Sequence, residues 1–238
     1  MRVATWNLER ARGAKAEGQR RVLDEISPDI AILTEVTADS WAGDGDIVTS
    51  PVCRPSRFGV EPWVAVVGKG ATPIEPMPTY DSLGVAARFD VSDESIVVYG
   101  TVLPWRAAPR QALDLVEAGE TADDMFQRVL LAQVGQIETL QQLSPGALVL
   151  WIGDFNQTLE GPNYGGSRAA RRLLHDALRS LGMIACNSSS EHARPGMCAI
   201  DLICGPASRL RSDRPVGDIN PIDEGRRLSD HAGYYVDV

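Results

Sequence analysis

The feature that most constrains this 238-residue chain is where its polar residues fall. Short apolar runs repeatedly end on a carboxylate, an amide or an imidazole. Asn7 and Glu9 follow Val3-Ala4-Thr5-Trp6, and Glu35 follows Ala31-Ile32-Leu33-Thr34. Asp154 and Asn156 follow Leu148-Val149-Leu150-Trp151-Ile152-Gly153. Asp201 sits inside Ala199-Ile200-Asp201-Leu202-Ile203, and Asp230 and His231 precede the last apolar run. An unpaired carboxylate is costly to bury, so a chain built this way needs a fold whose strand ends converge and supply partners.

The runs themselves read as alternating strands and helices. Arg2 to Leu8, Ile30 to Thr34, Trp63 to Val67, Val85 to Phe89, Ile96 to Leu103, Ala147 to Ile152, Ile200 to Cys204 and Gly233 to Val238 are short, apolar and rich in Val and Ile, as strands are. Ala14 to Ile26 has helical spacing, with Val22, Leu23 and Ile26 on one face and Pro28 beyond its end. Thr121 to Leu143 repeats Phe126, Val129, Leu130, Val134, Ile137 and Leu140 at helical intervals, and Ser167 to Leu181 reads as a further helix. No linker, charge block or low-complexity tract divides the chain. One domain over residues 1–238 is expected, an α/β (α+β) arrangement. Two similar halves, each with strands and a helix, suit sheets packed face to face with helices outside.

Bulk properties narrow the function. Hydrophobic content of 44% and charged content of 23% describe an ordered soluble protein. No apolar run approaches the roughly 18 residues of a membrane helix. The start of the chain lacks a signal-peptide pattern, so a cytoplasmic protein is expected, and a monomer. The net charge of −9 argues against a broad nucleic-acid-coating surface, though not against a local basic groove. Arg168, Arg171, Arg172 and Arg179 cluster, as do Arg209, Arg211 and Arg214; solvated faces account for most of them. The four cysteines, Cys53, Cys186, Cys198 and Cys204, form no C-x-x-C pair and only three histidines exist, which argues against structural zinc. Reduced, buried thiols are expected.

Each polar residue has a plain alternative role. Asn7 suits a turn, Glu35 a cap or surface ion pair, Gly153-Asp154 a turn, Ser229-Asp230-His231 a loop end, and Asp201 a partner for a nearby arginine. Taken together, five strand ends each offering a ligand atom favour a shared site. Trp6-Asn7-Leu8-Glu9, Leu33-Thr34-Glu35-Val36, Gly153-Asp154-Phe155-Asn156, Ile200-Asp201-Leu202-Ile203 and Ser229-Asp230-His231 resemble, in order, the signature blocks of the endonuclease/exonuclease/phosphatase superfamily. That resemblance spans nearly the whole chain.

The resemblance implies a four-layer α-β-β-α sandwich of two mixed sheets and a Mg²⁺ or Mn²⁺ site at one end. The oxygen ligands suit such a hard cation, which polarises a phosphoryl oxygen. By the same resemblance Glu35 is the principal metal ligand, with Asn7 beside it and Glu9 nearby. Asp154 orients or deprotonates the attacking water, held by Asn156. His231 contacts the scissile phosphate and Asp201 fixes its ring. Asp230 is either a second acid near the metal or a residue behind it.

One departure stands out. Where relatives carry a second His or a Tyr, the stretch Tyr99-Gly100-Thr101-Val102-Leu103-Pro104 places Val102. Neither His175 nor His192 occupies a matching place in the sequence. Arg106, Arg110 or Tyr99 is the expected substitute, and Arg168 beside the Gly161–Gly166 segment is a further candidate for substrate phosphate. The expected activity is a divalent-metal-dependent phosphoester hydrolase, foremost a phosphodiesterase or nuclease. The alternatives are a phosphatase or phosphodiesterase acting on a small-molecule or lipid phosphate ester, and a binding relative with weakened catalysis.

Overall fold

The computed structural model describes residues 1–40, 45–51, 54–56, 59–74, 81–91, 94–111, 116–210 and 215–238. Cys53, Arg211 and Arg214 lie outside these residues. The chain forms two six-stranded mixed sheets. The first holds β1 (Arg2–Asn7), β2 (Ile30–Thr34), β3 (Ile47–Thr49), β6 (Val64–Val67), β13 (Val216–Ile219) and β16 (Gly233–Asp237), in the order β13-β16-β1-β2-β6-β3. The second holds β7 (Thr72–Pro73), β8 (Gly84–Val91), β9 (Glu94–Val102), β10 (Leu148–Asp154), β11 (Met183–Ala185) and β12 (Asp201–Pro206), in the order β11-β12-β10-β9-β8-β7. Two small hairpins, β4 (Arg54–Ser56) with β5 (Gly59–Glu61) and β14 (Ile222–Asp223) with β15 (Arg226–Arg227), stand apart. The helices are α1 (Ala14–Ile26), the short α2 (Ala108–Gln111), α3 (Ala122–Leu143) and α4 (Arg168–Ser180).

Alternation along the strands decides which face goes where. In the first sheet Val3, Ile30, Ile32, Val64 and Val66 join the main core with residues of the second sheet such as Val98 and Leu150. Their neighbours Ala4, Trp6, Ala31, Leu33 and Ala65 face the other way, into a second cluster that Val22, Leu23 and Ile26 of α1 cover. The sheets come so close at Gly100 that a Cβ there would stand 2.9 Å from Val64 and 3.1 Å from Val66. Over the outer face of the second sheet, α3 buries Phe126, Val129, Leu130, Ile137 and Leu140. It is anchored by hydrogen bonds from Thr101 Oγ1 to Gln133 (2.6 Å) and between Tyr99 and Gln136. The result is the α-β-β-α sandwich.

Local chemistry agrees with these layers. Thr121 caps α3 in a reciprocal box with Asp124, an arrangement worth about 1 kcal/mol. Ser167 caps α4 by accepting from Ala170 N at 3.0 Å. The elements absent from the sequence reading are edge strands of two to four residues, the two small hairpins and the four-residue α2. All are too short to show a hydrophobic period.

Strand direction positions the site. The two parallel pairs, β1 with β2 and β9 with β10, bring Asn7, Thr34, Val102 and Asp154 to their carboxyl ends. Antiparallel neighbours must begin where these end. Asp201, the first residue of β12, lies opposite Asp154, and β16 starts just beyond His231, with Tyr234 paired to Thr5.

Candidate active site

The sheets meet in a buried polar cluster. Asn7 is 1% exposed and donates through Nδ2 to Asp154 Oδ2 at 3.0 Å and, more weakly, to Glu35 Oε1 at 3.4 Å. Its own Oδ1 accepts from the Glu9 backbone N–H at 2.8 Å. Asp154 Oδ1 accepts from the Asn156 backbone N–H at 2.9 Å. His231 Nδ1 shares a 2.6 Å hydrogen bond with Asp201 Oδ2. The loop carrying His231 is tied to the first strand: Trp6 Nε1 donates to His231 O (3.1 Å), Ser229 Oγ to Asn7 O (2.7 Å), and the His231 N–H to Ser229 Oγ (3.1 Å). The tryptophan and serine of the sequence blocks are thus the fasteners between β1 and the histidine.

The backbone is strained here. Of the six non-glycine residues with positive φ among the described residues, four are at the site: Glu9 (49°), Arg10 (52°), Glu35 (51°) and Asn156 (49°). Such conformations cost energy and persist where surroundings over-determine them. Gly153 before Asp154 has φ 143°, and a Cβ there would lie 2.1 Å from Thr101 O. Only glycine fits that close approach.

Electrostatics follow from burial and crowding. Burial, then the charge of Asp201, pushes the Asp154 carboxyl up to about 7. Burial also raises Asp201, and the charge of His231 counters part of that. Burial works against a charged His231, but the charge and hydrogen bond of Asp201, with the charges of Asp154 and Asp230, outweigh it and raise its pKa well above the ordinary value. Glu35 draws Arg10 as a counter-charge, Nε to Oε2 at 3.0 Å. The carboxylate oxygens of Glu35 and Asp154 fit a hard divalent cation, and Asn7 presents its Nδ2 to both while its Oδ1 is held by the Glu9 N–H.

The predicted residues do not all arrive in the same way. Asn7, Glu35, Asp154, Asp201 and His231 converge. Asn156 holds Asp154 by its backbone; its side chain donates instead to Leu103 O at 3.0 Å. Asp230 is exposed, and its charge reaches Asp201, His231 and His192. The Glu9 carboxylate is held by Lys15 (2.7 Å) and Arg227 (2.9 Å). Val102 is 1% exposed, core, and opposite Asp154. Arg106 and Arg110 are exposed and, with Thr121 and Ala122, line a cavity of about 560 Å³ on the segment leaving the site after Leu103. Arg168 is exposed at the start of α4. The Tyr99 hydroxyl turns away to Gln136.

The sequence reading missed His192. It is 4% exposed, and its ring lies 5.3 Å from that of His231 and 5.3 Å from that of Tyr164. Burial, then the charge of His231, lowers its pKa to about 4. Ligand-capable atoms of His192, Asp201 and His231 lie within 4.8 Å of one another. No local pattern in Ser190-Glu191-His192-Ala193 signals this. His175, by contrast, sits on α4 with Nε2 3.2 Å from Leu159 O.

A sandwich of two mixed sheets with an amide–carboxylate–imidazole cluster at a shared edge defines the α-β-β-α phosphoester hydrolases. The chain belongs to the Endonuclease/Exonuclease/phosphatase family, which it matches over residues 4–231. No curated protein sequence matches it. Among solved structures it is similar to the 3'-5' exonuclease NExo from Neisseria meningitidis, with a TM-score of 0.70 at 15% identity, covering 100% of this chain and 99% of that one. It is similar to the AP endonuclease LMAP from Leishmania major, with a TM-score of 0.70 at 14% identity over 99% and 86% of the two chains. The APE2 catalytic domain from Xenopus laevis gives 0.69 at 16% identity, over 100% and 91%. Among the described residues no helix is long and apolar enough to cross a membrane.

Proposed function

We propose that the protein is a Mg²⁺- or Mn²⁺-dependent phosphodiesterase of the nuclease type, with this cluster as its active centre. The observation that carries the reading is that Asp154, bound by Asn7 from the other sheet, stands opposite Asp201, which holds His231. A base for water and a donor for phosphate thus share one edge.

Glu35 would hold the cation, with Asp230 at the exposed side, and Asn7 beside it would join through its Oδ1 only if its amide turned over from the orientation seen. Glu9 contributes through its backbone N–H, which orients the Asn7 amide. When bound, the cation polarises the phosphoryl group and offsets the charge growing on its oxygens. Asp154 orients the attacking water and takes its proton. The Asn7 amide and the Asn156 N–H fix its carboxylate for that exchange. His231, held charged by Asp201, donates to a non-bridging oxygen, where negative charge concentrates. Arg106, Arg110 and Arg168 meet more distant phosphates as paired donors. Nucleic acid is the favoured substrate, since the three solved structures above are named as an exonuclease, an AP endonuclease and a catalytic domain of APE2.

The test is turnover on labelled DNA, RNA and small phosphate esters with Mg²⁺ or Mn²⁺. Cleavage of DNA or RNA that stops with chelator is the expected result. Activity confined to small esters would overturn the nuclease reading, and chelator-resistant activity would overturn the metal-dependent one.

A further inference from the structure

Among the described residues, two buried polar atoms beside the catalytic pair have no hydrogen-bond partner: Nε2 of His192 and Oδ1 of Asp201. One is a nitrogen and the other a carboxylate oxygen, and their residues form a cluster with ligand-capable atoms within 4.8 Å. A short rotation of the ring or one shared water closes such a gap. Each atom alone bears the cost of desolvation, which a hydrogen bond between them would offset.

The tautomer of His192 is set by its neighbour. The Arg194 backbone N–H donates to Nδ1 at 2.9 Å. A ring nitrogen that accepts from an N–H carries no proton, so the proton of the neutral ring is on Nε2. That gives His192 a donor at Nε2, in the same cluster as the unpaired acceptor Oδ1 of Asp201. It also argues against a metal ion among His192, Asp201 and His231. Ligation through Nε2 would move the proton to Nδ1, against the Arg194 N–H.

The ring is fixed in place. The His192 N–H donates to Met197 O at 2.9 Å, Ala199 N to Ser190 O at 2.9 Å, and the Tyr234 hydroxyl to Glu191 O at 2.9 Å. Tyr164 and the edge of His231 contact the ring itself.

We propose that His192 is a positioning residue of the active centre: its Nε2–H engages Oδ1 of Asp201, so that imidazoles grip both oxygens of the carboxylate. Asp201 is then held in the rotamer that keeps Oδ2 on His231. The inference rests on the reading of His231 as the phosphate donor, but its structural half is tested without any substrate.

The structural arm uses ¹⁵N-histidine NMR of the metal-free protein. His192 is expected to show a protonated Nε2 and a bare Nδ1, and His231 a low-field Nδ1 proton from its short bond to Asp201. In His192→Phe, which keeps a ring against Tyr164 and His231, that low-field signal is expected to shift or broaden. In His192→Gln, which keeps a side-chain N–H, it is expected to persist. The kinetic arm expects kcat to fall roughly 10- to 100-fold in His192→Phe at unchanged KM, as when a supporting partner is lost, and to recover largely in His192→Gln. A protonated Nδ1 in the wild-type protein overturns the proposal whatever the variants do. An unmoved His231 signal in folded His192→Phe overturns it as well. A change confined to KM makes His192 a substrate contact and also overturns it. If the wild-type protein cleaves nothing in the panel, the functional reading fails while the NMR arm still decides the role of His192.

Discussion

Asn7 on the first sheet donates its side-chain amide to Asp154 on the second, 3.0 Å away and 147 residues on in the chain. That bond crosses the sandwich at its active edge. It ties a residue beside the proposed metal site to the residue proposed to activate water.

The acid cluster is expected to bind cation tightly enough to matter for activity. Chelator should abolish turnover, and either Mg²⁺ or Mn²⁺ should restore it. Glu35→Gln should weaken cation binding in calorimetry while the fold survives, because Glu35 keeps a partly exposed side chain and an amide can still accept from Asn7. Unchanged affinity would remove Glu35 from the metal site.

Asp154→Asn is expected to lower turnover by about 10² to 10⁴, the usual contribution of a positioned acid–base group. Its melting temperature should not fall in parallel. A neutral side chain in a buried site beside Asp201 removes the repulsion that raises Asp154. Calorimetry near pH 8 is the check; a Tm that drops with the activity would make Asp154 a structural residue.

Stability of the metal-free protein is expected to decline with rising pH. Free aspartate ionises near 3.9, about as the unfolded chain does, whereas Asp154 in the fold ionises at about 7. Between those values the folded state keeps a proton that the unfolded state has lost. The stability present below about pH 4 is therefore lost up to about 7, by on the order of a few kcal/mol. His231, raised in the fold, adds a loss in the same direction above about 6.5. Thermal scans at pH 5 and 8 should show this decline, and Mg²⁺ should raise Tm more at pH 8. Equal stabilisation by Mg²⁺ at both values would contradict it.

Gly153→Ala should be among the most damaging single substitutions. The new Cβ would stand 2.1 Å from Thr101 O in a backbone conformation with φ 143°. The expected loss is on the order of 3–5 kcal/mol, measured by urea unfolding. A loss below about 1 kcal/mol would mean that β9 and β10 can move apart there.

Val102 offers no donor to a phosphoryl oxygen. If Arg106 supplies it, Arg106→Ala should lower kcat/KM roughly 10- to 100-fold, the scale of a hydrogen bond to a charged group. Arg110→Ala should do less. Should neither matter while Val102→His raises turnover, the rim arginines have no such role and the centre simply lacks a donor.

Much of this protein is determined locally. The Val/Ile-rich runs, the helical spacing of Phe126 through Leu140 and the capping residues Thr121 and Ser167 specify strands and helices from neighbours in sequence alone. The same holds for Asn7, Glu35, Asp154, Asp201 and His231, because each lies at or beside the end of such a strand: parallel pairing carries the ends of β1, β2 and β10 to one edge, and antiparallel pairing brings the starts of β12 and β16 to it. Side-chain direction is different. The ion pairs of Glu9 with Lys15 and Arg227, and the turn of the Asn156 amide to Leu103, depend on backbone strain and on distant partners. His192 is the clearest case. It lies on a loop with no periodic pattern, and its ring comes against that of His231, in one cluster with Asp201, because Tyr234 holds that loop from 43 residues away. Contacts of that range exist only once the sheets have packed, so only the tertiary structure decided them.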